Sequence, residues 1–333
     1  MSSVSRLSQE FDAVYFDLDG VLYRGLVAVT GAAETVSELV RSGCTVAYVT
    51  NNASRTPGEV ASHLHELGIP AAANEVITSS QVAVQILGKH APVGSRVFVV
   101  GGVGVEQALL DAGFIASRDP RDCVAVVQGF GPLVSWDDLA QASYLIQGGA
   151  IWIATNLDST IPTQVGIAPG NGSFVTAVRN AVGREPDGVG GKPDRSMMEQ
   201  TMAAFPAEAP LLVGDRYDTD VAAGIAAGMS TMLVLSGVST PADVWASKIR
   251  AGYLGESVQD LITEYVGPQK STDGYCCGEA KAEYLVTESV VRATGGTRLE
   301  RLRAADSLKW SLVEHVGLDP FAGGHISLDL GEQ

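Results

Sequence analysis

The sequence predicts an α/β protein whose core is a doubly wound, Rossmann-like parallel sheet. Short runs rich in β-branched residues alternate with longer amphipathic runs, beginning with AVYFDLD, TGAAETVSELVRSG and CTVAYVTNN. Strand-helix-strand spacing of this kind is typical of parallel sheets that carry helices on both faces. The 333 residues exceed one typical domain, so we expect two or three domains.

The core begins at the N-terminus and is resumed later in the chain. After the first strands, TPGEVASHLHELGI predicts a helix with Pro57 near its start and Gly68 just after its end. The helices DRSMMEQTMAAF and DTDVAAGIAAG flank the strand PLLVGD in the second segment. We therefore assign residues 1–91 and 188–266 to one core domain.

A second α/β unit interrupts this core. The runs SRVFVVGG, CVAVVQGF and AIWIATN predict strands, and VEQALLDAG, WDDLAQASYLIQGG and NGSFVTAVRNAVG predict helices. The Gly- and Pro-rich run GREPDGVGGKPDRS that follows suits a domain junction. Residues 92–187 are therefore expected to form an inserted α/β domain.

The last part of the chain, residues 267–333, has a different pattern. GPQKSTDGYCCGEAK is typical of a linker, and EYLVTESVV and HISLDL each predict one strand. Between those strands, TRLERLRAADSLKWSLVEHVG places apolar residues at near-helical spacing. We expect a small β-α-β extension packed on the rest of the protein.

Composition excludes several classes of partner. A formal charge of −16 leaves no basic surplus for a nucleic acid, although a small phosphorylated substrate needs only a local cation or metal. No apolar run approaches the roughly 18 residues of a spanning helix, and no secretory signal precedes the first strand, so we expect a cytosolic protein. The four cysteines show no spacing typical of zinc sites or disulfide scaffolds.

Two aspartates, Asp17 and Asp19, stand at the end of the first predicted strand. The C-terminal strand ends of an open parallel sheet line its ligand crevice. Two carboxyl groups there repel one another unless a cation or a shared proton relieves them. A helix-capping turn would explain either residue alone but explains the pair poorly.

Other strand ends supply complementary groups. The second strand ends in Thr50 and Asn51, whose hydroxyl and amide suit phosphate oxygens, and LLVGD ends in Asp215, with Asp220 further on. Lys192 stands before a predicted helix, where its ammonium and the helix dipole both attract an anion. Oxygen ligands, hydrogen-bond donors and a nucleophile at one crevice are what Mg²⁺-assisted phosphoryl transfer requires.

The motifs DLDGVL, TNN, GGKPD and GDRYDTD, in this order, resemble those of phosphatases of the haloacid dehalogenase (HAD) superfamily. The insertion, with ATNLDSTIPTQVGIAPGNGSFVTAV, is similar to the large α/β cap of the phosphoglycolate and 4-nitrophenyl phosphatase branch. The tail resembles the partial acetyltransferase-like region of mycobacterial-type glycerol-3-phosphate phosphatases. The resemblance covers about residues 10 to 265 and implies homodimers that pair through the cap.

Roles follow from the resemblance, residue by residue. Asp17 is expected to be the nucleophile that forms an aspartyl-phosphate, and Asp19 the general acid and base. The implied Mg²⁺ ligands are the Asp17 carboxylate, the Asp19 backbone carbonyl and Asp215. The phosphoryl group is expected to be held by Thr50, Asn51 and Lys192. Asp220 is expected to support the metal-bound water or Lys192.

Two cap residues, Asn156 and Asp158, follow a predicted strand and could reach the non-phosphate end of a substrate. An Asx turn that caps the loop explains them equally well. Both interpretations stay open on the sequence alone.

The predicted function is hydrolysis of a small phosphorylated metabolite. Glycerol 3-phosphate is the expected substrate on resemblance, with 2-phosphoglycolate or a broad 4-nitrophenyl phosphatase activity as alternatives. A hypothesis of another class is acyl-CoA binding or regulation by the extension, because RATGGT, from Arg292 to Thr297, loosely resembles a pyrophosphate-binding loop. An inactive scaffold conflicts with the complete set of acidic residues and Lys192.

Overall fold

The first part of the chain builds half of the core. A computed structural model describes residues 5–163, 165–316 and 326–331. All four residues of the strand AVYF are buried, as a central strand of a parallel sheet requires. The elements are β1 (Ser5–Arg6), β2 (Ala13–Phe16), β3 (Tyr23–Arg24), β4 (Val27–Ala28), α1 (Ala32–Arg41), β5 (Thr45–Thr50), α2 (Pro57–Glu66), β6 (Val76–Thr78) and α3 (Ser79–Leu87).

The inserted unit has its own parallel sheet, in the strand order β13-β10-β9-β7-β8. Helices cover both faces of this sheet, so its strands are mostly apolar on both sides. The elements are β7 (Arg96–Val100), α4 (Val103–Asp111), β8 (Ile115–Ser117), β9 (Ala125–Gln128), α5 (Trp136–Gln147), β10 (Ile151–Ala154), β11 (Thr160–Thr163), β12 (Gly166–Pro169), α6 (Asn171–Val182) and β13 (Gly188–Val189).

The chain then returns to the core and completes a six-stranded sheet in the order β16-β15-β14-β2-β5-β6. All of its pairings are parallel, which confirms the predicted doubly wound core with an inserted domain. A π-helical turn, Tyr217–Val221, follows the central strand. The elements are α7 (Ser196–Ala204), β14 (Pro210–Gly214), α8 (Ala222–Ala226), β15 (Ser230–Val234), α9 (Pro241–Ala246), β16 (Tyr253–Gly255) and β17 (Glu264–Tyr265).

One limit of the inserted domain needs a correction. The sequence analysis assigned Gly188 to the second core segment, but β13 pairs with β10 in the cap sheet, with Gly188 opposite Ile153. We therefore propose that the cap extends through Val189. The sequence could not show this because the two-residue strand lies inside a Gly- and Pro-rich run that reads as a loop.

The C-terminal extension is larger than the predicted β-α-β unit. Strands β21 and β22 pair in parallel around helix α10 and form that unit, while three further antiparallel strands precede it. The run expected to be a linker contains two strands, and the run EYLVTESVV is a hairpin because the polar residues Thr287 to Ser289 make a turn. The elements are β18 (Gln269–Lys270), β19 (Gly274–Cys277), β20 (Ala280–Leu285), β21 (Val290–Thr294), α10 (Arg298–Val316) and β22 (Ser327–Asp329).

Helix α10 docks the extension onto the edge of the core sheet. Arg303 is 5% exposed and donates two hydrogen bonds, of 2.9 and 2.7 Å, to the carbonyl oxygen of Leu254 in β16. Its guanidinium also stacks 4.0 Å from the ring centre of Tyr265. These contacts confirm that the extension packs on the rest of the protein. Within the described ranges, no helix has the length and apolar content needed to cross a membrane.

Replacement of Arg303 by alanine is expected to lower the free energy of unfolding by about 2–4 kcal/mol, because it leaves the Leu254 carbonyl oxygen buried without its donors. Urea denaturation would measure the change. The matched control is Arg298→Ala, which removes an exposed arginine of the same helix and should stay within about 0.5 kcal/mol of the parent. Equal stability of the two variants would contradict the assigned docking role.

Candidate active site

A cavity of about 230 Å³ lies between the C-terminal ends of the core strands and the cap. Its volume is smaller than that of typical pockets for drug-sized ligands, so it suits a small metabolite. All nine residues that the sequence singled out line this one cavity, although their roles stay predictions. They are Asp17, Asp19, Thr50, Asn51, Asn156, Asp158, Lys192, Asp215 and Asp220.

Lys192 lies at the centre of the site and is 2% exposed. Its Nζ is 2.5 Å from Asp17 Oδ1 and 2.7 Å from Asp220 Oδ1. These carboxylates follow β2 and β14, which are neighbours in the sheet. Two adjacent strand ends thus present their carboxylates to one ammonium carried by the segment that returns from the cap.

The electrostatic balance of the site is negative. Burial raises the pKa of Asp17 well above its ordinary value, and Asp220 and Asp215 raise it further while Lys192 opposes them. Burial and Asp220 together raise the pKa of Asp215 to about 7. Burial lowers the pKa of Lys192, but Asp17 and Asp220 outweigh it, so the ammonium stays protonated. Three carboxylates around one cation therefore favour a second cation.

The three carboxylates have the geometry of a cation site. One oxygen from each of Asp17, Asp215 and Asp220 lies within 4.8 Å of the others. Oxygens at such separations can share a hard divalent ion, for which carboxylates and carbonyls are preferred ligands. The observed donor set therefore fits a small divalent cation.

Two glycines make room for Asp215. The Val238 N–H donates a 2.6 Å hydrogen bond to Asp215 Oδ2 and fixes that carboxylate. A Cβ atom at Gly237 would lie 1.9 Å from the same oxygen, and one at Gly20 would lie 2.4 Å from it. Gly20 also has a φ of +84°, which favours glycine. The backbone can come this close to the Asp215 carboxylate only because both positions are glycine and carry no Cβ atom.

Asn51 joins the cap to the core. Its Oδ1 accepts a 2.8 Å hydrogen bond from the Lys192 N–H, and its Nδ2 donates to the Lys192 carbonyl oxygen at 3.0 Å. The same Nδ2 lies 3.1 Å from both carboxylate oxygens of Asp158 in the cap. The side chain predicted to hold phosphate is thus already committed to Lys192 and to Asp158.

The two cap residues left open by the sequence form an Asx turn. The Asp158 N–H donates a 3.1 Å hydrogen bond to Asn156 Oδ1, and Asn156 Nδ2 donates at 2.7 Å to the backbone oxygen of Asn51. Burial raises the pKa of Asp158, against the lowering effect of its hydrogen bond from Asn51. Asp158 still lines the cavity, so a structural turn and a substrate contact are compatible at this residue.

Asp19 has a different environment from Asp17. Its side chain is exposed in the cleft, yet the flanking protein excludes part of its water and raises its pKa, against Arg55 and His63. Thr50 lies at the end of β5, where its Oγ1 accepts a 3.1 Å hydrogen bond from the Asn52 N–H. Asp17, by contrast, is paired with the Lys192 ammonium, so the two aspartates lie in different electrostatic environments.

Arg216 and Phe130 are among the lining residues of the cavity that were not selected from the sequence. Arg216 Nη2 lies 2.7 Å from Asp218 Oδ2, and Arg216 Nε lies 2.9 Å from Asp218 Oδ1, which makes a bidentate pair. Phe130 of the cap stacks on Phe174 with ring centres 6.4 Å apart. Arg216 lies within the motif GDRYDTD and could have been selected, whereas Phe130 carries no sequence signal.

A buried lysine, a carboxylate pair and a capped cavity at the strand ends define an α/β enzyme with an acidic centre. The sequence profile of haloacid dehalogenase-like hydrolases matches residues 14–115, and that of HAD-hydrolase-like proteins matches residues 189–261. The chain is 41% identical over 258 residues to the D-glycerol 3-phosphate phosphatase of Mycobacterium tuberculosis, which covers 77% of this chain and 72% of the relative.

Two more comparisons agree with these. The acid sugar phosphatase of Staphylococcus aureus is 33% identical over 258 residues, 77% of this chain and 98% of that protein. The crystal structure of a glycerol phosphate phosphatase from Mycobacterium tuberculosis in complex with magnesium superposes with a TM-score of 0.84 and 33% identity. That superposition covers 98% of this chain and 96% of the other. The chain therefore belongs to the family of haloacid dehalogenase-like hydrolases.

Replacement of Lys192 by methionine is expected to lower the free energy of unfolding by roughly 3–5 kcal/mol at pH 8 in EDTA, because buried carboxylates lose their cation. The remaining carboxyls then have higher pKa values, so the folded variant binds more protons than the folded parent and the deficit shrinks as the pH falls. Urea denaturation at pH 8 and pH 5 would measure both effects. Lys89→Met, at an exposed position, is the control. A deficit that does not change with pH would contradict the assigned charges.

Proposed function

We propose that this chain is a Mg²⁺-dependent phosphomonoesterase that hydrolyses glycerol 3-phosphate to glycerol and phosphate. The observation that carries the proposal is the buried contact of Lys192 with Asp17 and Asp220 beneath a closed cap. Relatives in the same family are named phosphatases, and one named for D-glycerol 3-phosphate is 41% identical over 77% of this chain.

Mg²⁺ fits the donor set described above. The ligands from this chain would be the carboxylates of Asp17 and Asp215 and the backbone carbonyl of Asp19. When bound, Mg²⁺ neutralises charge on the phosphoryl oxygens and on the ligating carboxylates. Asp220 would hold the backbone that carries Asp215, because its Oδ2 accepts hydrogen bonds from the N–H groups of Asp215 at 3.2 Å and Arg216 at 3.1 Å.

Side chains of this protein can carry out each step of the proposed hydrolysis. An oxygen of Asp17 attacks phosphorus and forms an aspartyl-phosphate, while Asp19 gives its proton to the departing alkoxide oxygen. Asp19 then takes a proton from water, whose oxygen attacks the same phosphorus and releases phosphate and the free Asp17 carboxylate. Lys192 and Thr50 hold the phosphoryl oxygens throughout. The raised pKa of Asp19 matches its first role as an acid.

The charges at the other end of the cavity support a neutral polyol over a carboxylate. The cap contributes Asp158, Thr160 and Ile161 to the lining. Arg216, the nearby cation, is paired in bidentate fashion with Asp218 and has little charge left to offer. A carboxylate-bearing substrate such as 2-phosphoglycolate would therefore meet the like charge of Asp158, whereas hydroxyl groups can donate hydrogen bonds to Asp158. Broad activity on 4-nitrophenyl phosphate is the remaining alternative.

The alternative of acyl-CoA binding finds no support in the geometry of its loop. The Thr297 N–H donates a 2.7 Å hydrogen bond to Glu300 Oε2, so a carboxylate already caps the start of α10. A Cβ atom at Gly296 would lie 2.5 Å from that same oxygen, which shows how closely Glu300 covers the loop. A pyrophosphate would have to displace this like charge. Pairing of two copies through the cap also stays a prediction.

Phosphate release from glycerol 3-phosphate tests the proposed chemistry. We expect release that requires Mg²⁺ and stops in EDTA, no detectable turnover in Asp17→Asn, and a loss of roughly 10²–10⁴-fold in kcat in Asp19→Asn. Asp273→Asn removes the same charge from an exposed position of the extension and should match the parent. Metal-independent release, or an active Asp17→Asn variant, would disprove the mechanism.

The charge argument predicts a change of substrate preference in Asp218→Asn. Loss of the Asp218 charge frees Arg216, so the kcat/KM for 2-phosphoglycolate should rise by roughly fivefold relative to glycerol 3-phosphate. Steady-state kinetics on both substrates would measure the ratio. Asp218→Glu, which keeps the charge, should retain the preference of the parent. An unchanged ratio in Asp218→Asn would show that Arg216 does not contact the variable end of the substrate.

A further inference from the structure

The C-terminal extension shares a hydrophobic cluster with the turn that carries an active-site carboxylate. We refer to the π-helical turn Tyr217–Val221 as the acidic turn. Leu299 and Leu302 of α10 lie in one hydrophobic cluster with Val221 of this turn. The ring of Tyr217 packs against the same cluster. Helix α10 and the acidic turn therefore contribute side chains to the same hydrophobic cluster.

The two sides of the acidic turn have different surroundings. Thr219 and Asp220 line the cavity, where Asp220 Oδ1 lies 2.7 Å from Lys192 Nζ. Tyr217 lies on the other side, in the apolar cluster with the extension. The turn is thus a short piece of backbone between the extension and the acidic centre.

The backbone of the acidic turn has the wide geometry of a π-helix. The N–H groups of Asp220 and Val221 both point to one carbonyl oxygen, that of Arg216, at 3.1 Å each. π-Helical geometry is rare and occurs mostly as single turns, because it is less favourable than an α-helix. Such a turn keeps its shape when surrounding contacts hold it, and Tyr217 supplies contacts on the outer side.

Polar contacts fix α10 beside this turn. The Arg250 Nη2 donates a 3.1 Å hydrogen bond to Ser307 Oγ, and the Arg250 Nε lies 3.9 Å from Asp306 Oδ2. Burial raises the pKa of Tyr217, and the charge of Asp306 adds to this effect, which agrees with the proximity of α10 to the phenol. Asp306 is 5% exposed, so the helix is anchored by groups that water does not reach easily.

We propose that the C-terminal extension positions the acidic turn for metal binding and catalysis, and that Tyr217 is the positioning residue that transmits the contact. The hydrophobic cluster that α10 shares with Val221 and Tyr217 holds the turn so that Asp220 faces Lys192 and Asp215 faces the cation site. The family profiles end at residue 261, before the extension, so nothing in them assigns this role. The proposal rests on the proposed Mg²⁺ site.

The competing explanation is that the extension only covers apolar surface at the edge of the core. In that case any variant that loosens the extension would act through general stability. The two explanations differ in which face of α10 matters. Leu302 faces the cluster at the acidic turn, whereas Leu308 packs on the sheet of the extension itself.

The test uses the full-length protein with two variants and two matched controls. Tyr217→Ala and Leu302→Ala remove the contact from either side, while Tyr217→Phe keeps the ring and Leu308→Ala removes a similarly buried leucine elsewhere on α10. Calorimetry with MgCl₂ measures metal binding directly, and hydrogen exchange in EDTA measures protection of the amides of residues 217–221. Turnover on glycerol 3-phosphate separates kcat from KM.

Both alanine variants at the contact are expected to bind Mg²⁺ roughly tenfold more weakly, with a lower kcat, little change in KM and faster exchange in the turn. Tyr217→Phe and Leu308→Ala should match the parent. Parent-like Mg²⁺ binding in Tyr217→Ala, or an equal loss in Leu308→Ala, would overturn the proposal. If the parent binds no Mg²⁺, the proposed function fails, while exchange in EDTA still decides whether Tyr217 holds the turn.

Discussion

The buried ammonium of Lys192 brings together segments that are far apart in the chain. Asp17 follows β2 and Asp220 lies in the turn after the neighbouring strand β14, and the Lys192 Nζ lies 2.5 Å from one and 2.7 Å from the other. The lysine reaches them because the chain returns from the cap at this point. The position of the cap junction and the geometry of the acidic centre therefore both depend on where this lysine lies.

Asn51 extends that constraint to the cap. It fixes the backbone of Lys192 through two hydrogen bonds and also contacts both oxygens of Asp158. Movement of the cap would therefore shift Lys192 through the side chain of Asn51. A cap fixed in this way would help the cavity exclude water during the proposed reaction. The Asn51 amide consequently links Asp158, at the cap end of the cavity, to Lys192 of the acidic centre.

Much of the fold and of the site could be predicted because both depend on local pattern. Asp17, Thr50 and Asp215 follow apolar strand runs, and parallel strands present their C-terminal ends at one edge. The partner of Asn51 could not be predicted, since its contact with Asp158 joins residues 107 positions apart. The extra strands of the extension were missed because their short polar runs acquire strand geometry only by pairing with neighbours.

The extension illustrates how tertiary contacts decide the function of a segment without catalytic groups. The wide π-helical turn directs Asp220 toward the cavity and Tyr217, three residues earlier, toward the cluster with the extension. Residues three apart in a regular α-helix would lie on the same face. Close approach at Gly214, where a Cβ atom would lie 2.1 Å from that of Asp220, leaves the turn no room to relax inward. The outward side is open to relaxation unless something covers it. In the proposed role of the extension, the cluster that α10 shares with Tyr217 covers that side, so the acidic turn would be held from both sides.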